Sequence, residues 1–476
     1  MRQESHFERR IAATETSSST KEYAFLQCAS RGVFALRKWS LSRPARRMKM
    51  HKSLLWLALL ILGSSNLVIR QACWSQESPQ ATATAVDAAI AVGTTPFQET
   101  VLDNGLRVLT IEDFSCPIVA VQLWYHVGSK DEDPERQGFA HMFEHMMFRG
   151  TDRLGSTDHF DLIRKTGGDC NAYTTFDQTV YVQTLPANQL NLALWLEAER
   201  MSMLKIDQDA FDTERKVVEE ERRMGVNRPY GKVLEQALPH LFPDHPYRWS
   251  AIGSIPHLRA ASVPELRAFW TRYYVPNNAT LVVAGAVKHS EVVQLATRNF
   301  GWIPRCDDPP RVAEPGYRPF EKSKVTITDK NAPAPIAALV FRGVPLRHDD
   351  ATALDLMTTI LGGGESSRIY RRLVADEGLA VAAICGSLSL EQDGVIGAGA
   401  IMPPLGSSAE KAIAAMQEEI QRIRESEVSA EELEKAKNQM LNRLVVENLT
   451  VESKATALGS AAVLEGDANR INTRLE

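Results

Sequence analysis

His141 and His145 stand four residues apart with Glu144 beside the second of them, in the run His141-Met-Phe-Glu144-His145. On a helix the three side chains fall within an arc of about 100°, so two imidazoles face one point while a carboxylate stands next to them. Two nitrogens so placed suit a Zn²⁺ ion, bound at about 2.0–2.1 Å. The glutamate cannot join them as a ligand from the same turn without strain; it is better placed to take a proton from water on the metal. Two ordinary histidines on a half-exposed helix are the plain alternative. Against it, Gly138-Phe-Ala and Met146-Met-Phe-Arg-Gly-Thr151 flank the motif with apolar residues. The helix is therefore expected to be buried, where unpaired imidazoles and a carboxylate are costly and a metal removes the cost.

A catalytic zinc needs a third protein ligand and one open position. Residues 207–224 read as a helix carrying Glu214 and the run Glu219-Glu-Glu221. Glu214 and Glu221 are two turns apart and share a face, whereas Glu219 and Glu220 point elsewhere. Periodicity alone does not choose between the first two.

The elements that must hold these residues alternate between strands and helices. Val101-Leu, the turn Asp103-Asn-Gly105 and Leu106–Ile111 form a hairpin pattern, and Pro117–Val127 is a longer strand rich in β-branched and aromatic residues. Helices are predicted at 138–148, 159–165, 188–203, 207–224 and 263–273, with strand signals at 171–185 and a buried strand at 279–287. Leu192, Trp195 and Leu196 make an apolar stripe expected in the core. Five prolines between 303 and 321 mark a linker, and beyond it the grammar repeats: Pro335–Pro345 echoes Pro117–Val127, then a charged loop and an apolar helix at 351–361 follow. The second helix has no histidine, so only one half carries the chemistry. The fold class expected is α+β, with two homologous domains, each a mostly antiparallel sheet backed by helices.

Before Phe97 the chain reads as address and linker. Met48-Lys-Met-His-Lys52 precedes the apolar run Leu54–Leu62 and then Gly63-Ser-Ser-Asn, the layout of a secretory signal peptide. A span needs about 20 apolar residues, so an uncleaved anchor is the lesser alternative. The resulting division is 1–47 an upstream extension, with Met48 or Met50 as the start, 48–75 signal peptide, 76–95 linker, 96–303 metal-binding domain, 304–321 linker and 322–476 second domain. The protein is expected to be exported, periplasmic or extracellular, touching membrane only through an uncleaved signal segment. Residues 53–476 hold 42 basic against 55 acidic groups, a net of −13, which argues against a nucleic-acid partner. The six cysteines lie far apart with no CxxC pair, which argues against a thiolate zinc site or a dense disulfide framework and leaves room for one disulfide.

Gly138–Thr151, Gly168-Asp-Cys-Asn171-Ala-Tyr-Thr174, Val217-Val-Glu-Glu-Glu221-Arg-Arg-Met224 and Leu241-Phe-Pro-Asp-His-Pro-Tyr247 together resemble the pitrilysin, insulysin and mitochondrial processing peptidase family, in its short bacterial two-domain form. The resemblance implies a zinc endopeptidase acting on peptides or unfolded segments, with one Zn²⁺ per chain. It implies His141, His145 and Glu221 as ligands, Glu144 as catalytic base and Glu214 as the acidic residue behind them. It also implies that Asn171, Ala172, Tyr173 and Thr174 lie on an edge strand that receives an extended substrate. His245 and Tyr247 are expected to fix a turn.

Two departures from the family pattern shape further expectations. Val374 and Val381 stand where relatives carry an Arg and a Tyr that complete the active site from the second domain; Arg371 and Arg372 lie nearby. A homo- or heterodimeric partner of the same family supplying Arg and Tyr is therefore expected. The second domain is also shorter than the first and lacks a counterpart to 263–287, so it reads as incomplete. The rival function is a non-catalytic scaffold subunit; a scaffold has no physical need for all four of His141, Glu144, His145 and Glu221.

Overall fold

The computed structural model describes residues 94–314, 322–406 and 408–473. The address segment at 48–75 lies outside them, and among the described residues no helix is long and apolar enough to cross a membrane.

Six strands, β1 Gln98–Val101, β2 Arg107–Glu112, β3 Ile118–Tyr125, β4 Asp169–Thr174, β5 Thr179–Pro186 and β6 Ala279–Gly285, form one sheet in the order β1-β2-β6-β3-β5-β4. β2 and β6 run parallel and the other neighbours antiparallel, so the sheet is mixed but mostly antiparallel. The β1–β2 turn closes on Gly105 at φ +89°, a left-handed conformation suited to glycine. β3 explains its own central place: beyond Ile118 every residue is buried, as expected of a run with apolar groups on both faces.

One face is covered by α1 Phe139–Met146, α2 Asp158–Lys165, α3 Leu190–Ser202, α4 Gln208–Asn227, α6 Val263–Tyr273 and α7 His289–Phe300, while α5 Val233–Leu241 turns Leu238 toward Phe242, Tyr247 and, in the later half, Val395. Val121, Leu123, Tyr125 and Val283 from the sheet meet Phe143, Met146, Leu194 and Leu196 from the helices in the largest core cluster. Leu192 and Trp195 pack partly buried against the same cluster.

The later residues repeat this order of elements. β7 Ile336–Arg342 is followed by α8 Ala351–Gly362, the hairpin β8 Ala382–Ser389 and β9 Gly394–Ile401, and then α9 Ala409–Glu425 and α10 Ala430–Glu447. The strands form a three-stranded antiparallel sheet, β7-β9-β8, matching β3-β5-β4 of the first. Among the described residues no strand corresponds to β1, β2 or β6, and 322–335 carry no helix or strand. β7 therefore pairs on one side only, and Val340 and Phe341 stay 38% and 41% exposed.

The last long helix, α11 Val451–Val463, crosses back to the first sheet. Ala455, Leu458 and Ala462 cover Leu109, Trp124 and Val282 on the face that α1–α7 leave open. Close approach demands small residues there: a Cβ at Gly459 would lie 2.3 Å from Cε2 of Trp124. Gln122 Nε2 donates to Glu452 O (3.1 Å) and Thr456 Oγ1 (2.9 Å), and Lys454 donates to Asp113 Oδ2 at 2.6 Å.

A second tie joins the two halves at the β8–β9 turn. Glu391 accepts from Lys130 Nζ (2.7 Å) and pairs with His126 Nε2 (2.8 Å). Asp177 accepts from Lys130 Nζ, from the Tyr247 hydroxyl and from Glu391 N. His245 does help fix its turn, accepting from Tyr247 N, and it also reaches Gln392 at 2.9 Å. Cys116, Cys170, Cys306 and Cys385 are unpaired; Cys28 and Cys73 lie outside the described residues.

Candidate metal centre

α1 is an interior helix, and its local sequence accounts for its start. Gly138 enters at φ +98°, and Glu132, buried in the loop before it, accepts from Gly138 N (2.8 Å) and Ala140 N (2.9 Å). A carboxyl group on the first N–H groups of a helix satisfies donors that have no partner inside it, although burial outweighs these bonds and raises the Glu132 pKa to about 8. Sequence reasoning missed Glu132, which lies in the charged loop Lys130-Asp-Glu-Asp. Phe139, Met142, Phe143 and Met146 are buried, which leaves His141, Glu144 and His145 on the side facing β4 and α4.

α4 supplies the other half. Asp207 caps its start by accepting from Ala210 N at 2.8 Å. Glu221 lies seven positions, about two turns, after Glu214, and both reach His145: Glu214 Oε2 accepts from Nδ1 at 3.1 Å, and Glu221 Oε2 lies 3.4 Å from Nε2. Glu221 Oε2 is also 3.7 Å from Nε2 of His141. One ligand atom from each of His141, His145 and Glu221 lies within 4.8 Å of the other two. Glu219 and Glu220 turn away to Arg259 and Arg223 respectively.

These residues fit a zinc ion. Ligand atoms about 2.1 Å from a tetrahedral centre stand about 3.4 Å from one another, which matches the His–Glu separations better than direct hydrogen bonding does. The donor set, two imidazole nitrogens and one carboxylate, is one that zinc accepts with a fourth position open. Burial, with the nearby His145, lowers the His141 pKa, which favours the neutral ring that a metal ligand needs. Burial opposes the charge on His145, yet Glu214 and Glu221 outweigh it and hold that ring at about 9.

Glu144 sits beside the cluster, its carboxyl pushed above the usual range by burial against the opposing effect of a hydrogen bond from Thr174 Oγ1 to Oε2 (2.6 Å). The β4 segment alternates across the sheet. Ala172 and Thr174 face α1, while Tyr173 packs edge-on to Trp124 at 6.4 Å on the opposite face, beneath α11. Asn171 is exposed, and β4 is the outermost strand of its sheet.

A family model described as insulinase (peptidase family M16) matches residues 107–247, and one described as peptidase M16 inactive domain matches 260–440. The zinc protease PqqE of Helicobacter pylori is 30% identical over 384 residues, which is 78% of this chain and 84% of that one. The chain belongs to peptidase family M16. Another relative, the uncharacterized zinc protease YmxG of Bacillus subtilis, is 25% identical over 76% of this chain and 87% of its own. The crystal structure of a protease from Helicobacter pylori matches with a TM-score of 0.72 and 26% identity, covering 80% of this chain and 94% of that one.

In the second half of this M16 chain, Val374 packs partly buried against the local core and Val381 is 38% exposed just before β8. Arg372 is held by Glu377, Glu418 and Glu419. Arg371 is exposed. The chain from Arg371 to Asp376 takes a π-helical turn.

Proposed function

We propose that the protein is a zinc-dependent endopeptidase that hydrolyses peptides or unfolded polypeptide segments. The observation that carries this reading is the convergence of His141, His145 and Glu221 beside half-buried Glu144, in a chain whose relatives are named zinc proteases. His141, His145 and Glu221 would hold one Zn²⁺. When bound, the ion would polarise a peptide carbonyl and acidify a water. Glu144 accepts the proton at Oε1, the oxygen that Thr174 leaves free, and passes it to the departing amine. Glu214 keeps the His145 ring oriented through Nδ1. An extended substrate would lie along the outer edge of β4 and pair with the main chain of Asn171, Ala172, Tyr173 and Thr174, which suits broad sequence tolerance.

The same reading assigns the chemistry to residues 96–303, joined by a linker at 304–321 to a second domain at 322–476 that binds no metal. It assigns export to 48–75. Engagement of Arg372 by three acids, with Val374 in the local core, supports a partner chain of the same family that contributes Arg and Tyr. Those valines also favour a second reading, a non-catalytic peptidase-like subunit. Metal analysis and hydrolysis of an unstructured peptide, with and without chelator, separate the two. One zinc per chain and chelator-sensitive turnover, alone or with the partner, are expected; a protein that takes up no zinc refutes the enzyme.

A further inference from the structure

We infer that Arg149 is a positioning residue of the metal centre: through Glu214 it fixes the ring of His145 so that Nε2 faces Glu221. The inference rests on the zinc reading above. Arg149 lies four residues beyond His145, in the turn where its N–H donates to Met146 O at 2.9 Å. That spacing keeps it on the ligand side, and Nε of the guanidinium donates to Oε1 of Glu214. The other oxygen, Oε2, accepts from His145 Nδ1 at 3.1 Å. One carboxylate thus spans the two side chains, an oxygen to each.

Burial makes this arrangement consequential. The Glu214 side chain is 4% exposed, so water cannot steady it or balance its charge. A histidine that gives Nε2 to a metal is neutral and keeps its hydrogen on Nδ1. With His145 in that form, Arg149 is the permanent cation paired with Glu214 among the described residues. Without the guanidinium the carboxylate loses the partner of Oε1 and is free to turn, and His145 loses a fixed acceptor. A lysine would restore charge without the planar N–H that sets direction.

The test is zinc affinity of the full chain, measured by competition with a chromophoric chelator, together with the visible absorption of the Co²⁺-loaded protein. Wild type should bind one zinc and H145A should not; a wild type that binds none overturns the zinc reading and this inference with it. R149M should bind zinc roughly 10- to 100-fold more weakly and shift the Co²⁺ bands, with R149K recovering part of the loss. An R149M affinity within about twofold of wild type overturns the inference and leaves the zinc reading standing. If R149M does not fold, R149M/E214Q is compared with E214Q. Equal affinities support action through Glu214, and a further tenfold loss overturns it.

Discussion

Thr174 donates its hydroxyl hydrogen to Oε2 of Glu144 at 2.6 Å, joining the outermost strand of the first sheet to the helix that carries both histidines. The residue expected to touch substrate therefore also touches the expected base. Thr174→Val removes the donor and keeps the shape, so zinc content should stay at wild type while kcat falls roughly 3- to 10-fold, the worth of one hydrogen bond. An unchanged kcat would mean that the bond does not steady Glu144 during turnover.

Glu144→Gln should separate chemistry from metal binding. The amide cannot accept a proton, so turnover should drop by about 10²- to 10⁴-fold with zinc retained, as read by metal analysis beside a peptide assay. Normal turnover in this variant rules out the assigned base.

The ligand set is tested by comparing acids on one helix. Glu221→Gln, His141→Ala and His145→Ala should each lose zinc. Glu219→Gln and Glu220→Gln should keep it, since Glu219 is bonded to Arg215 and Arg259 and Glu220 to Arg223. Equal metal loss at 219, 220 and 221 would show that the register of α4 about the metal is misread.

The junction between the halves should be sensitive to acid. Burial alone would raise the Glu391 carboxyl, but the His126 hydrogen bond and the nearby Lys130 charge bring it down to about 2, from 4.5 for a free side chain. Because the folded value lies below the unfolded one, this stabilisation is complete above about pH 5 and drains away as pH falls toward about 2. Denaturant midpoints measured from pH 6 to pH 3 should therefore fall less steeply for Glu391→Gln than for wild type. Parallel slopes would show that Glu391 contributes nothing to the acid response.

Gly459 leaves no room for a side chain between α11 and Trp124 of the first sheet. Gly459→Leu would drive a side chain into the Trp124 ring and should destabilise the protein by about 1–3 kcal/mol, seen as a lower Tm. A wild-type Tm would show that the helix can shift without loss.

The parts of this architecture that spacing governs could be read from sequence. The helix expected at 138–148 spans Phe139–Met146, and that expected at 263–273 spans Val263–Tyr273. His141, Glu144 and His145 were visible because a four-residue step is itself a geometry. Glu221 was not visible in this way: it shares a face with Glu214, and only the family likeness separated a ligand role from a supporting one. Arg149 carried a signal that went unused, its four-residue step from His145. Thr174 and Glu144 are 30 residues apart, and Tyr247 and Gln392 are 145 apart. Such contacts depend on how the chain closes on itself, which no local pattern encodes. The same holds for α11, a helix that the sequence reading did not single out and that packs against Trp124 of the other half.

That crossing sets an order of events during synthesis. The first sheet, with Trp124 and Val282 on its outer face, is finished by residues that leave the ribosome more than 160 positions after its last strand, β6, has been made. Without Ala462 and its neighbours in place, the half bearing His141 and Glu221 has an uncovered apolar face. The scaffold beneath the ligands is therefore sealed only when both halves of the chain are present, so the metal-binding half does not reach its final buried state by itself.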